Sequence, residues 1–149
     1  MSDSWEECLE FGNHWQTKVL EYMKKEKMID MYRVMLGKLE QFDVITSKDG
    51  DITLREFKAD KLAAVTGNIA IECLHKGQTS GITSSTADFW NYVVVYADRA
   101  DVYEFPSSVL KDSIRREKFH EIKKCNDGSI CYLFNKELFS DYIKFSIKA

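Results

Sequence analysis

The chain has 149 residues, a hydrophobic content of 44% and a formal net charge of −3. This size and composition are typical of a single globular domain, here 1–149, that can bury one core without disulfide or metal staples. The acidic balance argues against a protein that binds nucleic acid through overall positive charge. No apolar run approaches the roughly 20 residues that span a bilayer.

The start of the chain and its cysteines indicate a reducing compartment. The first eleven residues, MSDSWEECLEF, lack the basic and then apolar layout of a secretion signal, so we expect a cytoplasmic protein with no membrane partner, in the host cytoplasm if it is viral. Cys8, Cys73, Cys125 and Cys131 contain no Cys-x-x-Cys pair, which predicts reduced thiols. Cys125 and Cys131 flank a turn and would permit a disulfide under oxidising conditions.

The first half of the chain reads as a helix followed by a hairpin. Phe11, Trp15, Val19 and Tyr22 recur at spacings of four, four and three, which predicts an amphipathic helix over 4–27. Residues 31–36 fit either a short strand or a continuation of that helix. The Asp-Gly pair in KDGD predicts a tight turn between two strands. These strands are expected at 42–47 and 52–58.

The second half of the chain is expected to contain further strands and three helices. We expect strands at 68–74 and 92–97, the latter central and buried, and a continuing strand at 101–105. A polar loop, 76–86, would cap a short helix over 87–92. The remaining expected elements are a helix over 106–117 with Pro106 in its first turn, a hairpin of 119–125 with 129–134, and a final helix over 135–147 capped by Asn135. This order predicts an α+β domain with a central mixed β-sheet flanked by helices.

One set of side chains on the first hairpin suggests chemistry. Glu56 and Lys58 share a face of the second strand, and Asp43 on the first strand lies near them, although the sequence leaves the register open. Two carboxylates and the peptide carbonyl of Phe57 are oxygen ligands of the kind that Mg²⁺ takes. Lys58 would orient a water or stabilise transition-state charge. The alternative is an exposed Glu/Lys pair on an ordinary hairpin.

The order of the segments FDVI, REFKADK, TGNIAIE and KGQTSGITSSTADFW resembles the PD-(D/E)XK nuclease superfamily. It is most similar to small stand-alone viral and phage members akin to Holliday-junction resolvases, over about residues 42–96. The resemblance implies a restriction-endonuclease-like fold, a homodimer and Mg²⁺- or Mn²⁺-dependent cleavage of DNA, which includes branched DNA. It also implies that Asp43 and Glu56 are metal ligands and that Lys58 is the catalytic lysine.

Two positions depart from the superfamily pattern or extend it. Relatives often carry a glutamate on the first helix that reaches the metal, whereas this chain offers Gln16, a weaker Mg²⁺ ligand. Glu72 shares its strand face with Ala70 and Leu74, where a carboxylate is costly unless it is paired or bound. Glu72 is therefore either an auxiliary acid of the site or the partner of a lysine, with Lys61 and Lys76 as the candidates.

The polar loop allows two interpretations, and the overall function allows three. Ser80, Thr83 and Ser84 are candidates for contacts with a phosphate backbone, or they form turns and caps. The leading hypothesis is a metal-dependent endodeoxyribonuclease. The alternative, favoured by Gln16 and the acidic charge, is a nuclease fold without catalysis that acts as a nucleic-acid-binding or protein-interaction module. A nuclease for RNA is a third and weaker option.

Overall fold

The computed structural model describes residues 4–36, 41–125 and 127–149. Within these residues the chain forms three α-helices: Trp5–Lys25 (α1), Leu62–Thr66 (α2) and Ser107–Arg115 (α3). No helix of the described residues combines the length and the apolarity that crossing a membrane requires. The strands of the described residues are Met31–Val34 (β1), Val44–Lys48 (β2), Asp51–Asp60 (β3), Asn68–His75 (β4), Gln78–Thr79 (β5), Phe89–Val95 (β6), Arg99–Pro106 (β7), Glu121–Lys124 (β8), Ser129–Asn135 (β9) and Ile143–Lys148 (β10).

The strands form two sheets. The larger sheet has six strands in the order β1-β2-β3-β6-β7-β10, and the smaller has four in the order β5-β4-β9-β8. Strands β3 and β6 pair in parallel, whereas the other pairs of the larger sheet are antiparallel. The prediction of an α+β chain with a central mixed sheet flanked by helices is therefore confirmed. The sequence predicted β4, β8 and β9 of the second sheet, but neither β5, which lies in the segment 76–86 expected to be a loop, nor the separation of this sheet from the first.

The larger sheet is covered on both faces. On one face, the predicted stripe of α1 packs against the sheet, with Trp15 and Val19 buried beside Val44 and Val93. Ser4 caps this helix by accepting a hydrogen bond from the Glu7 N–H. The opposite face packs against the smaller sheet and α3. The buried residues of that second layer include Ile69, Ile71, Trp90, Tyr92, Phe105, Leu110 and Phe134.

The first hairpin forms as the sequence predicts. Asp49 and Gly50 have φ values of 52° and 85°. Two-residue hairpin turns whose twist matches that of the strands require a positive φ at both central positions. Residues 31–36, which fitted two interpretations, contain strand β1. The turn fixes the register of β2 and β3, so that Val44 pairs with Arg55.

Two predicted helices are wrong. Residues 87–92 were expected to be helical, but Phe89 begins β6, which hydrogen-bonds to β3 on one side and β7 on the other. The final helix over 135–147 is instead a 3₁₀ helix, Lys136–Tyr142, followed by β10 at the sheet edge. Ile143, Phe145 and Ile147 alternate with polar residues, a period of two that favours a strand.

Other predictions for the C-terminal half are confirmed. Helix α3 follows Pro106, which occupies the N-cap position rather than the first turn. The hairpin of β8 and β9 forms, and Asn126 at its tip lies outside the described residues. Asn135 caps the 3₁₀ helix by accepting a hydrogen bond from the Glu137 N–H at 3.0 Å.

The described cysteines are free thiols, as the sequence predicts, and they differ in exposure. Burial raises the pKa of Cys131 to about 11 and also raises the pKa of Cys73, whereas Cys8 is exposed. Because the thiolate is the reactive form, we expect iodoacetamide at pH 8 to alkylate Cys8 on the order of 100-fold faster than Cys131. Peptide mass spectrometry over time measures both rates, and a Cys8→Ser variant should lose the fast phase. Equal rates at Cys8 and Cys131 would contradict the burial of Cys131.

Candidate functional site

The register of the first hairpin places Asp43 and Glu56 opposite each other. The paired register ends at Val44 and Arg55, so Asp43, which directly precedes Val44, lies beside Glu56, and the two carboxyl groups interact. The Asp43 N–H donates to the Arg55 carbonyl at 2.9 Å. Asp43 Oδ2 then accepts the Phe57 N–H at 2.9 Å. The Phe57 N–H therefore bonds to the Asp43 carboxylate and not to a backbone carbonyl of β2, which begins one residue later at Val44.

The Phe57 carbonyl points to the same side of β3 as the Phe57 N–H. In a strand, the N–H and C=O of one residue point towards the same neighbouring strand. Because the Phe57 N–H reaches Asp43, the Phe57 carbonyl also lies on that side, just beyond the first paired residue of β2, Val44. The Phe57 side chain packs on the opposite face, against the layer that contains α1. The carbonyl is therefore placed near both carboxylates.

A small cavity of ≈ 90 Å³ lies beside Glu56, between the two sheets. Glu56 and Lys58 enter it from β3, and Glu72 enters it from β4 of the smaller sheet. Lys58 is exposed, whereas both glutamates are half-buried. The full lining consists of Glu56, Phe57, Lys58, Ala70, Glu72, Gly81 and Trp90.

The two facing carboxyl groups are electrostatically coupled. Burial, followed by the neighbouring Asp43 carboxylate, raises the pKa of Glu56 to about 9, and Lys58 offsets only part of this shift. Burial also raises the pKa of Asp43, although the Phe57 N–H and the Glu56 carboxyl stabilise its charged form. Without a cation, the pair therefore holds a proton at neutral pH. Glu56 Oε2 is buried and has no hydrogen-bond partner among the described residues.

Glu72 is held in the cavity by the loop that follows β5. Its Oε2 accepts a hydrogen bond from Ser80 Oγ at 2.8 Å. Gly81, with φ +53°, brings the loop backbone so close that an added Cβ would lie 2.1 Å from the Glu72 carbonyl oxygen. Of the two sequence interpretations of Glu72, this placement favours the auxiliary acid.

The three loop hydroxyls that were candidates for phosphate contacts have different surroundings. Ser80 is engaged with Glu72, and Ser84 Oγ lies 3.4 Å from the Gly81 carbonyl, as a turn residue would. Thr83 is exposed. The structure therefore gives Ser80 a role in positioning an acid and leaves Thr83 available to a ligand.

Gln16 is not among the residues that line this cavity. It is half-buried on α1, four residues before the buried Leu20, and so faces the sheet. Helix α1, however, packs on the Phe57 face of the sheet, whereas Glu56 points to the other face because successive strand residues alternate. The structure thus brings together Asp43, Glu56, Lys58 and Glu72 but not Gln16.

Sequence reasoning missed Ser85, which supports one wall of the cavity. Its Oγ accepts the Trp90 indole N–H at 3.2 Å and donates to the Gln41 carbonyl at 3.0 Å. Ser85 therefore ties the loop to the residues that precede Asp43. In the sequence, Ser85 is one of several serines and threonines in the segment SGITSST. The pattern of that segment does not show which of these hydroxyl groups forms a specific hydrogen bond.

The donor set at the cavity defines what it can bind. Among the described residues, no group of three or more His, Cys, Asp or Glu side chains is arranged to hold a metal ion. A hard cation here would therefore rely on Asp43, Glu56, the Phe57 carbonyl and waters, a set that suits Mg²⁺. No protein-family model, curated protein or solved structure matches this chain.

Proposed function

We propose that the chain is a metal-dependent endonuclease of the PD-(D/E)XK kind that hydrolyses phosphodiester bonds in DNA, branched DNA included. The observation that carries this proposal is the buried pair of Asp43 and Glu56, with Lys58 on the same face of β3. Two partly buried carboxyl groups that face each other are costly in a purely structural role, and such a pair can serve as oxygen ligands for a divalent cation.

The order of the elements supports this proposal. Helix α1 precedes the antiparallel meander β1-β2-β3, and α2 begins the connection to β6, which pairs in parallel with β3. This is the order expected from the resemblance. The two acids lie where β2 begins and along β3, as the resemblance implies for the ligands.

The residues at the cavity fit a divalent cation. Glu56 Oε2 is a buried acceptor without a partner in the described structure, and a cation would satisfy it while favouring the charged forms of both acids. Asp43, Glu56 and the Phe57 carbonyl would hold Mg²⁺ or Mn²⁺. Bound there, the ion would supply Lewis-acid stabilisation of charge on the scissile phosphate.

The protein groups around this site have separable roles. The Phe57 N–H fixes the Asp43 carboxylate, so its orientation does not depend on the ligand. Lys58 is exposed at the mouth of the cavity, where its ammonium would contact a phosphate oxygen and stabilise the charge that develops on it. Glu72, held by Ser80, would accept a hydrogen bond from a water near that phosphate.

A nucleic-acid-binding or protein-interaction module without catalysis is the second candidate. It is favoured by the position of α1, because Gln16 lies on the face of the sheet opposite to Glu56 and the pair gains no ligand from that helix. Weak cation binding would be the consequence. Binding without cleavage would distinguish this candidate from an enzyme.

The proposal is tested by incubating the protein with supercoiled plasmid, a synthetic four-way junction or single-stranded RNA, with Mg²⁺, Mn²⁺ or a chelator. We expect cleavage of DNA that needs the metal and falls at least about 100-fold in both variants, because Asp43→Ala removes a proposed metal ligand and Lys58→Ala removes the ammonium that stabilises developing charge. Lys111→Ala, which changes an exposed lysine of α3, is the matched control and should cleave normally.

The possible negative results of this experiment contradict different parts of the proposal. Metal-dependent cleavage that survives both substitutions would refute the assignment of the site. Binding of DNA without any cleavage would favour the second candidate, and cleavage of RNA alone would change the substrate class.

A further inference from the structure

A second cavity adjoins the one that contains Glu56. It measures ≈ 120 Å³ and lies between α2 and the smaller sheet, and Ala70 lines both cavities. We call the two together the cleft. The polar lining residues of the second cavity are Asp60, Thr66, Asn68, Lys123 and Cys125.

The register of the smaller sheet aligns Lys123 with Glu72. Glu72 pairs with Cys131 of β9, and Cys131 pairs with Lys123 of β8. Paired residues point to the same face, so these three side chains form a row across three strands. Neighbouring strands lie about 4.8 Å apart, which places Lys123 about 10 Å from Glu72. Lys123 thus stands at the opposite end of this row from Glu72 and lines the second cavity.

Asp60, the acid that lines the second cavity, is engaged, whereas Lys123 is not. Asp60 accepts hydrogen bonds from the Tyr92 hydroxyl and the Leu62 and Ala63 N–H groups. Glu121, two residues before Lys123 on the same face, is exposed and lies beside Leu133. Within the described part of the chain, no hydrogen bond or ion pair engages the exposed Lys123 ammonium.

We propose that Lys123 is a phosphate-binding residue that positions a nucleic-acid strand along the cleft, towards Lys58 and the Asp43–Glu56 pair. This inference rests on the proposed function. A free ammonium on a flexible stem suits a phosphate oxygen, and phosphate contacts fix the orientation of a strand without reading its sequence. In a chain with net charge −3, such contacts have to be confined to one groove.

The neighbouring residue Lys124 provides a matched control. Lys123 and Lys124 are both exposed on β8, but their side chains point to opposite faces of the strand, so only Lys123 lines the cleft. Lys123→Ala and Lys124→Ala therefore remove the same charge from the same strand. Overall electrostatic attraction changes equally in both variants, whereas a contact inside the cleft is lost in only one.

Binding is measured by fluorescence anisotropy of a labelled four-way junction in chelator, where hydrolysis does not interfere, at several salt concentrations. We expect Lys123→Ala to weaken binding about five- to tenfold and to reduce the slope of log K against log salt by about 0.9. Lys124→Ala should stay within about twofold of the wild type, and Lys123→Arg should retain binding. With Mg²⁺, Lys123→Ala should raise KM and leave kcat unchanged.

The outcomes separate this inference from the proposed function. If the wild type binds and cleaves DNA but the two alanine variants behave alike, or Lys123→Arg binds as poorly as Lys123→Ala, the assignment of Lys123 is overturned and the nuclease proposal stands. If the wild type neither binds nor cleaves any nucleic acid, the proposed function fails and the role of Lys123 fails with it.

Discussion

Replacing Glu56 with glutamine should stabilise the metal-free protein at alkaline pH and at the same time abolish cleavage. Burial and the Asp43 carboxylate raise the pKa of Glu56 to about 9, so the folded protein binds a proton at neutral pH that the unfolded chain has lost. Glutamine cannot ionise, and its amide can donate to Asp43 as the protonated acid does. Under the proposed function the variant loses a ligand for the cation, and in the absence of metal it avoids the cost of a second charge beside Asp43.

The pH dependence follows from the sign of this shift. Between the ordinary pKa of 4.5 and the folded value of about 9, the folded state holds more protons than the unfolded state. The contribution of Glu56 to the free energy of unfolding is therefore complete below pH 4.5 and declines as the pH rises towards 9. We expect the variant to be only slightly more stable than the wild type at pH 5, and this advantage to grow by on the order of 4 kcal/mol by pH 8.5, because each pH unit between the two pKa values contributes about 1.4 kcal/mol.

Urea denaturation in chelator at pH 5 and pH 8.5 measures this difference. Glu121→Gln, an exposed glutamate on β8, is the control and should show the same small change at both values of pH. Adding Mg²⁺ should raise the stability of the wild type but not of Glu56→Gln, which reports cation binding independently of activity. If the wild type in chelator is as stable as the variant at pH 8.5, Glu56 ionises without cost and is not half of a buried pair.

The local parts of this fold could be predicted because local chemistry determines them. The Asp49–Gly50 turn fixes the first hairpin, and the spacing of Trp15 and Val19 fixes the buried face of α1. The prediction of a helix over residues 87–92 was wrong because the positions of Trp90 and Tyr92 in so short a segment fit either a helix or a strand. Pairing of that segment with β3 and β7 decides its conformation, and such long-range hydrogen bonds are not readable from six residues.

The same distinction between local and long-range determinants applies to the candidate site. Asp43, Glu56 and Lys58 lie on one hairpin, so strand alternation and turn geometry were enough to bring them together. Glu72 belongs to a different sheet, and its position relative to Glu56 depends on how the two sheets pack. The sequence alone therefore could not decide between its two possible roles. The position of Gln16 relative to these acids also depends on packing, because the order of elements does not reveal which face of the sheet α1 covers.

Gly81→Ala should destabilise the protein far more than the same change at Gly77. Both glycines have positive φ, +53° at Gly81 and +81° at Gly77, so both variants carry the strain of a left-handed alanine, about 1 kcal/mol. Only Gly81 is crowded: its new Cβ would lie 2.1 Å from the carbonyl oxygen of Glu72, whereas Gly77 has no atom within 4 Å. Relieving that clash requires the loop to move away from β4, and we expect a total cost of about 3 kcal/mol or more.

The same movement should release Glu72, because the neighbouring Ser80 donates the hydrogen bond that holds its carboxylate. Denaturation midpoints of the two alanine variants measure the stability difference, and cleavage by the folded fraction measures the effect on the site. Ser80→Ala removes the 2.8 Å hydrogen bond to Glu72 without any clash, so it should lower cleavage with little loss of stability. Equal midpoints for Gly81→Ala and Gly77→Ala would show that the loop does not press on β4, and the positioning of Glu72 would then need another explanation.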